Sequence, residues 1–199
     1  MNREHWDERY GTEELIWKAE PNRFLVEELD ALPPGRALDL ACGEGRNAVW
    51  LASKGWRVTG ADFSRAGLAK AQRLATDRGV EVTWVEADVV EWRPPTASFD
   101  LVVVMYLHLL AEQRRQALAH AAAALAPGGV LLVVGHDTSN LLKGTGGPQD
   151  PAVLFGPDEI VQDLSGLQIE RAEQVKRTVV TDAGEATAID ALVRAVRPS

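Results

Sequence analysis

Short unbroken apolar runs alternate along the chain with stretches of helical periodicity. The pattern predicts strands near residues 36–41, 56–61, 80–86, 99–104 and 129–135, with helices between them. The runs Leu101-Val102-Val103-Val104 and Val130-Leu131-Leu132-Val133-Val134 have no polar alternation. Strands of that kind are covered on both faces, as in a parallel sheet. Ala48, Val49, Leu51 and Ala52 recur at helical spacing, and Gly55 stops that helix. The alanine-rich residues 112–125 predict another helix, ended by Pro127, Gly128 and Gly129. The tail changes character. QIERAEQV and ATAIDALVRAV read as two extended segments separated by Asp182-Ala183-Gly184, an antiparallel hairpin at the sheet edge. The fold class is therefore α/β, a doubly wound sheet.

Candidate chemistry concentrates in RALDLACGEGRNAVWLASKGWRVTGADFS, residues 36–64, which reads as strand, glycine turn, helix, strand and acid. Gly43 and Gly45 let the backbone turn tightly and approach a ligand closely. Asp62, roughly 20 residues beyond the turn, is placed to accept hydrogen bonds from a ribose diol. The competing reading is that Asp62 or Ser64 caps the next helix. Gly43, Gly45 and Ala48 also fit the loose glycine spacing of dinucleotide dehydrogenases. Asp39, inside the first strand, argues otherwise: a carboxylate there suits an ammonium or sulfonium and repels a pyrophosphate.

With these residues the chain resembles the class I S-adenosylmethionine-dependent methyltransferases, whose first motif is an acid followed by a glycine-rich turn, here DLACGEG. ADF at residues 61–63, EADV at 86–89, FDLVVV at 99–104 and LAPGGVLLVV at 125–134 follow in the family's order. GEGRN and the leading HWDERY are similar to the tellurite-resistance and thiopurine methyltransferase-like branch. The resemblance implies a Rossmann-like, seven-stranded, mostly parallel sheet with the hairpin completing it, S-adenosylmethionine as cofactor and S-adenosylhomocysteine as product. It implies that Ala41, Cys42 and Gly43, with Gly45 and Asn47, hold the methionine end. Asp62 and Phe63 would serve the ribose, Asp88 and the Val89 amide the adenine, and Val104 and Met105 the transfer path. Asp100 reads as structural.

Methyl transfer needs a base only where the acceptor carries a proton at neutral pH. His108, past the fourth strand, and His136 with Asp137, past the fifth, are the candidates, since open α/β sheets bind ligands at the carboxyl ends of strands. Tyr10 and Trp17, with Trp6, form an aromatic lead-in that either caps the cofactor, since aromatic faces attract a sulfonium, or staples the leading helices to the core. The glycine- and proline-rich residues 136–157 are expected to form a loop that covers the acceptor pocket, moves on binding and sets substrate choice.

Composition narrows the partners. The chain of 199 residues has 46% hydrophobic and 25% charged residues, the composition of an ordinary globular domain. One domain is expected, with a helical cap over 1–34, a cofactor-binding core over 35–135 and an acceptor-side loop and hairpin over 136–199. Its net charge of −8 and lack of a basic stripe argue against a nucleic-acid partner. The single cysteine, Cys42, excludes an internal disulfide and a cysteine metal cluster, and no metal is expected. The polar start and the absence of a long apolar run predict a cytoplasmic enzyme, monomer or homodimer, that acts on a small-molecule acceptor without a membrane partner. Two other readings stay open: an NAD-dependent oxidoreductase on the same turn, and a non-catalytic regulator that binds S-adenosylmethionine.

Overall fold

A computed structural model describes residues 3–12, 14–16, 19–29, 32–181 and 184–199. Its centre is a seven-stranded sheet. The strands are β1 (Arg36–Leu40), β2 (Arg57–Asp62), β3 (Thr83–Glu86), β4 (Phe99–Met105), β5 (Leu125–His136), β6 (Gln168–Thr181) and β7 (Gly184–Val196). Their order is β3-β2-β1-β4-β5-β7-β6. The first five strands are parallel, β7 runs antiparallel to β5, and β6 runs antiparallel to β7 at the edge. Asp182 and Ala183, two of the three residues expected at the hairpin turn, lie outside the described residues; Thr181 pairs with Gly184 beside them.

The apolar run of β4 is continuous because both faces of the sheet are covered. Val102 and Val104 pack on one side with Leu131, Val133 and the helices α5 (Ala111–Ala124) and α7 (Pro157–Asp163). Leu101 and Val103 pack on the other with Leu132 and the helices α2 (Arg23–Leu29) and α3 (Arg46–Ser53). Fully burying one such side chain contributes about 1.5 to 3 kcal/mol. Asp100 sits at the opposite end of β4 from the site, where its carboxylate accepts the Arg36 amide at 2.8 Å.

Two elements differ from the sequence pattern. The α5 helix ends at Ala124, before the Pro-Gly-Gly, because Leu125 is already extended and pairs with Phe99. The register then slips before Leu101 pairs with Val130, and Gly128, at φ +76°, lies in the intervening bulge. Residues 136–157 are more ordered than a covering loop. They contain α6 (Asn140–Lys143) and a 3-10 turn at Pro151–Val153, and Phe155 sits in the core. Asn140 ties the segment to β7 by accepting the Ile189 amide at 2.8 Å while donating to the Thr145 and Gly146 carbonyls.

The amino-terminal helix α1 (Arg3–Tyr10) docks on α4 (Arg65–Asp77). Ser64 caps α4 by accepting the Gly67 amide at 3.0 Å, and its hydroxyl donates to Asp7 at 2.6 Å. Lys70 of α4 forms a buried ion pair with Glu44 at 2.9 Å and also donates to Thr12. Glu44 accepts the Ile16 amide as well, so one buried pair fastens Thr12 and Ile16 to the glycine turn.

Candidate active site

The sheet's strand order reverses between β1 and β4, and the crevice outside their carboxyl ends is where such sheets take ligands. A cleft of about 600 Å³ lies there. Of the residues expected from sequence, Tyr10, Ala41, Cys42, Gly43, Asn47, Asp62, Phe63, Met105, His108 and His136 line it. Trp17 lies outside the described residues.

The remaining expected residues lie elsewhere. Asp39 is under the turn, only 1% exposed. Gly45 is a packing position: a Cβ there would come within 2.6 Å of the Ala71 Cβ and 2.7 Å of the Trp84 ring. Asp88 is exposed and accepts the Val90 amide at 3.0 Å, so it builds a turn, while Val89 is buried in the core. Val104 is also a core residue, because it points away from the face that Met105 presents to the cleft.

One half of the cleft is acidic. Asp62 ends β2, and its two carboxylate oxygens accept the Gly43 amide at 2.8 Å and the Ser64 amide at 2.9 Å. The helix cap is thus Ser64, and Asp62 instead braces the glycine turn while facing the cleft. Burial raises the Asp62 carboxyl, with partial relief from the Ser64 and Gly43 amides. Neither Asp39 oxygen closes a well-aligned hydrogen bond among the described residues, although the Ala48 amide lies near enough to favour the charged form. Burial pushes its carboxyl up to about 7, the Asp62 charge adds to the rise, and the Ala48 amide and Arg46 offset only part of it. Burial, with these two acids, also pushes the Cys42 thiol up, so it remains a thiol.

Gly43 adopts φ +54° and a Cβ there would lie 2.7 Å from the Tyr10 hydroxyl. The turn thus leaves room for Tyr10 as well as for a ligand. Tyr10 stacks on Trp6 with ring centres 5.2 Å apart, and both rings line the cleft. Asn47 faces the cleft, but its side-chain oxygen accepts the Asn22 amide at 2.9 Å and so anchors the segment entering α2.

The other half is organised by Asp190, a β7 residue that is fully buried. One of its oxygens accepts the Tyr106 hydroxyl at 2.9 Å and Arg177 Nε at 2.7 Å. The other lies 3.2 Å from His136 Nδ1, close but not aligned as a hydrogen bond. Burial alone would raise the Asp190 carboxyl; the His136 and Arg177 contacts outweigh it and hold it below the usual range. Tyr106 is held at φ +58° just past β4, and burial together with Asp190 pushes its hydroxyl up to about 12, so it stays a donor. His136 Nε2 has no hydrogen-bond partner among the described residues.

His108 is different. Its Nδ1 donates to the Val153 carbonyl at 3.2 Å, and its Nε2 faces the His136 amide at 3.5 Å. Burial, then the neighbouring His136, lowers its pKa to about 4. Both ring nitrogens are occupied by backbone, which suits a neutral structural imidazole stacked between His136 and Phe155. Tyr106, Arg177 and Asp190 carried no signal in the sequence, because an acid and an arginine in an alternating strand read as surface residues. The Asp190–His136 pairing across β5 and β7 exists only in the assembled sheet.

Residues 37–129 match the family described as methyltransferase domain. That stretch, just under half of the chain, is similar to a methyltransferase domain. Over 123 residues the chain is 40% identical to demethylmenaquinone methyltransferase of Thermus thermophilus, covering 61% of this chain and 54% of that protein. Over 102 residues it is 34% identical to thiocyanate methyltransferase 1 of Arabidopsis thaliana, covering 49% and 44%. The chain therefore spans about half the length of these curated relatives. The likeness in fold extends over the chain: the N-methyltransferase NodS of Bradyrhizobium japonicum, solved with S-adenosylhomocysteine, superposes with TM-score 0.73 at 19% identity, covering 99% of this chain and 98% of that one. Among the described residues no helix is long and apolar enough to cross a membrane, and no cluster of side chains could hold a metal ion.

Proposed function

We propose that the protein transfers a methyl group from S-adenosylmethionine to a small-molecule acceptor. The observation that carries this reading is a cleft with two unlike halves at the β1/β4 crossover of a methyltransferase domain. The acidic half fits the donor. Asp39 is a buried carboxyl with no well-aligned hydrogen bond, and a cationic ligand beside the turn would favour its ionised form and that of Asp62, whereas a pyrophosphate would be repelled. The NAD-dependent alternative is disfavoured on that ground.

Ala41, Cys42 and Gly43 would hold the methionine end, Asp62 and Phe63 the ribose, and Trp6 with Tyr10 would lie against the cation. When bound, S-adenosylmethionine supplies a methyl group already activated by its sulfonium. What this chain adds is alignment, and positioning can lower the barrier by about 7 to 11 kcal/mol. His136 accepts the acceptor's proton at Nε2 where there is one, and Asp190 is its positioning residue through Nδ1. Residues 145–148, which include Gly147 packed on the His136 ring, restrict the acceptor's entry. GEGRN and HWDERY are what supports the tellurite-resistance and thiopurine branch. Two relatives are named for small-molecule acceptors, demethylmenaquinone and thiocyanate, which supports that class.

The decisive experiment is calorimetric titration with S-adenosylmethionine, S-adenosylhomocysteine and NAD, followed by transfer of radiolabelled methyl to a panel of thiols, phenols and thiocyanate. Micromolar binding of the two adenosyl ligands and turnover of one acceptor are expected. Binding of NAD alone would overturn the reading, and adenosyl binding with no turnover on any acceptor would favour a regulator.

A further inference from the structure

Most sheltered basic side chains among the described residues are matched with acids. Lys70 pairs with Glu44, Arg114 with Asp163, Arg177 with Asp190 and Arg194 with Glu170. Arg197 has no acid but donates to the Leu125 carbonyl, whereas Arg46 has neither. It opens α3 directly after the glycine turn, is half-buried, and lines the cleft, yet no acid lies within ion-pair distance and no hydrogen bond holds it among the described residues. Burial lowers its pKa, Tyr106 and Asp39 counter that, and Arg177 opposes its charge. A half-buried cation facing a like charge is costly unless an anion joins it.

We propose that Arg46 and Arg177 form a seat for an anionic group, a carboxylate or oxyanion, on the methyl acceptor. The proposal rests on the methyl-transfer reading. Three observations place the anion on the acceptor. Arg46 and Arg177 line the same cleft, and Arg177 with Tyr106 belongs to the half organised by Asp190. That half holds two guanidinium groups against one carboxylate, and Asp190 is already engaged by Tyr106 and Arg177. Arg177 and His136 both approach Asp190, so a molecule anchored at Arg177 by its charge is held next to the group proposed to take its proton. Guanidinium suits this task because its planar donors match a carboxylate in pairs.

The cofactor's own carboxylate is the other source of such a charge, and the test separates the two. Benzoate and its neutral counterpart benzamide are titrated into the wild type and into Arg46→Gln and Arg46→Lys, each with and without S-adenosylhomocysteine, at constant ionic strength. Thiocyanate and sulfate are run as smaller anions. The wild type is expected to bind benzoate at least tenfold more tightly than benzamide, Arg46→Gln to lose that preference and Arg46→Lys to keep part of it. Without ligand, Arg46→Gln is expected to melt at or above the wild-type temperature, because it relieves repulsion from Arg177; a purely structural arginine would give a lower one. No binding of any of the three anions by the wild type overturns the proposal, as does an unchanged preference in Arg46→Gln. So does a tenfold loss of S-adenosylhomocysteine affinity in Arg46→Gln with 5′-methylthioadenosine, which lacks the carboxylate, unaffected; the seat would then belong to the donor. Loss of all adenosyl binding with the benzoate preference intact would refute methyl transfer and leave the anion seat standing.

Discussion

Asp62 and Asp39 are both buried acids at the glycine turn, but they differ in what satisfies them. Asp62 accepts two backbone amides, so Asp62→Ala removes a brace as well as a ligand contact. S-adenosylhomocysteine affinity is expected to fall roughly 10- to 100-fold by calorimetry, the loss of about 1.5 to 3 kcal/mol. Asp39 has no such bonds. Its folded pKa of about 7 lies above the ordinary 3.8, so its contribution to stability is full below pH 4 and is lost as pH rises through 7, about 4 kcal/mol in all. His108 has the opposite sign over nearly the same window. Its folded pKa of about 4 lies below 6.5, so stability is lost as pH falls from 6.5 to 4, about 3 kcal/mol. In thermal melts the advantage of Asp39→Asn over wild type should grow from pH 4 to pH 7. The deficit of His108→Gln should shrink from pH 6.5 to pH 4. A pH-independent difference in either variant would refute the assigned protonation state. The sequence singled out Asp39, Asp62 and His108 as chemistry, but nothing in residue type said that His108 would spend both nitrogens on backbone.

At the scale of elements, the buried Lys70–Glu44 pair decides whether the amino-terminal segment stays on the cleft. Lys70→Met removes the cation of a buried pair, which costs about 3 to 5 kcal/mol, and hydrogen exchange at Ile16 should accelerate. The double variant with Glu44→Gln should recover part of that stability. If both melt alike, the pair carries no coupling. The hairpin places Asp190 opposite His136, so Asp190→Asn should reduce kcat and alter the pH profile while leaving S-adenosylhomocysteine affinity unchanged. A fall in affinity equal to the fall in kcat would reduce Asp190 to a structural role. The parallel strands, α3 and the hairpin were legible because period and glycine placement are local signals. The early end of α5 was not, because pairing of Leu125 with Phe99 overrode alanine's helical preference.

For the whole molecule, the division of the cleft follows from topology. The chain delivers the acidic half from β1, β2 and the turn after β1, which are close in sequence, and the other half from β4, β5, β6 and β7, which are not, with Arg46 joining it from the start of α3. The sequence by itself determined the class of the fold and the position of the glycine turn and Asp62, since a glycine turn and an acid at fixed spacing are encoded within about thirty residues. Only the tertiary structure decided the half of the cleft around Asp190. Tyr106, His136, Arg177 and Asp190 meet because antiparallel β7 inserts between β5 and β6, and their contacts span up to 84 residues. No local pattern carries a pairing of that range, because it is set by the packing of the sheet and not by the residues themselves.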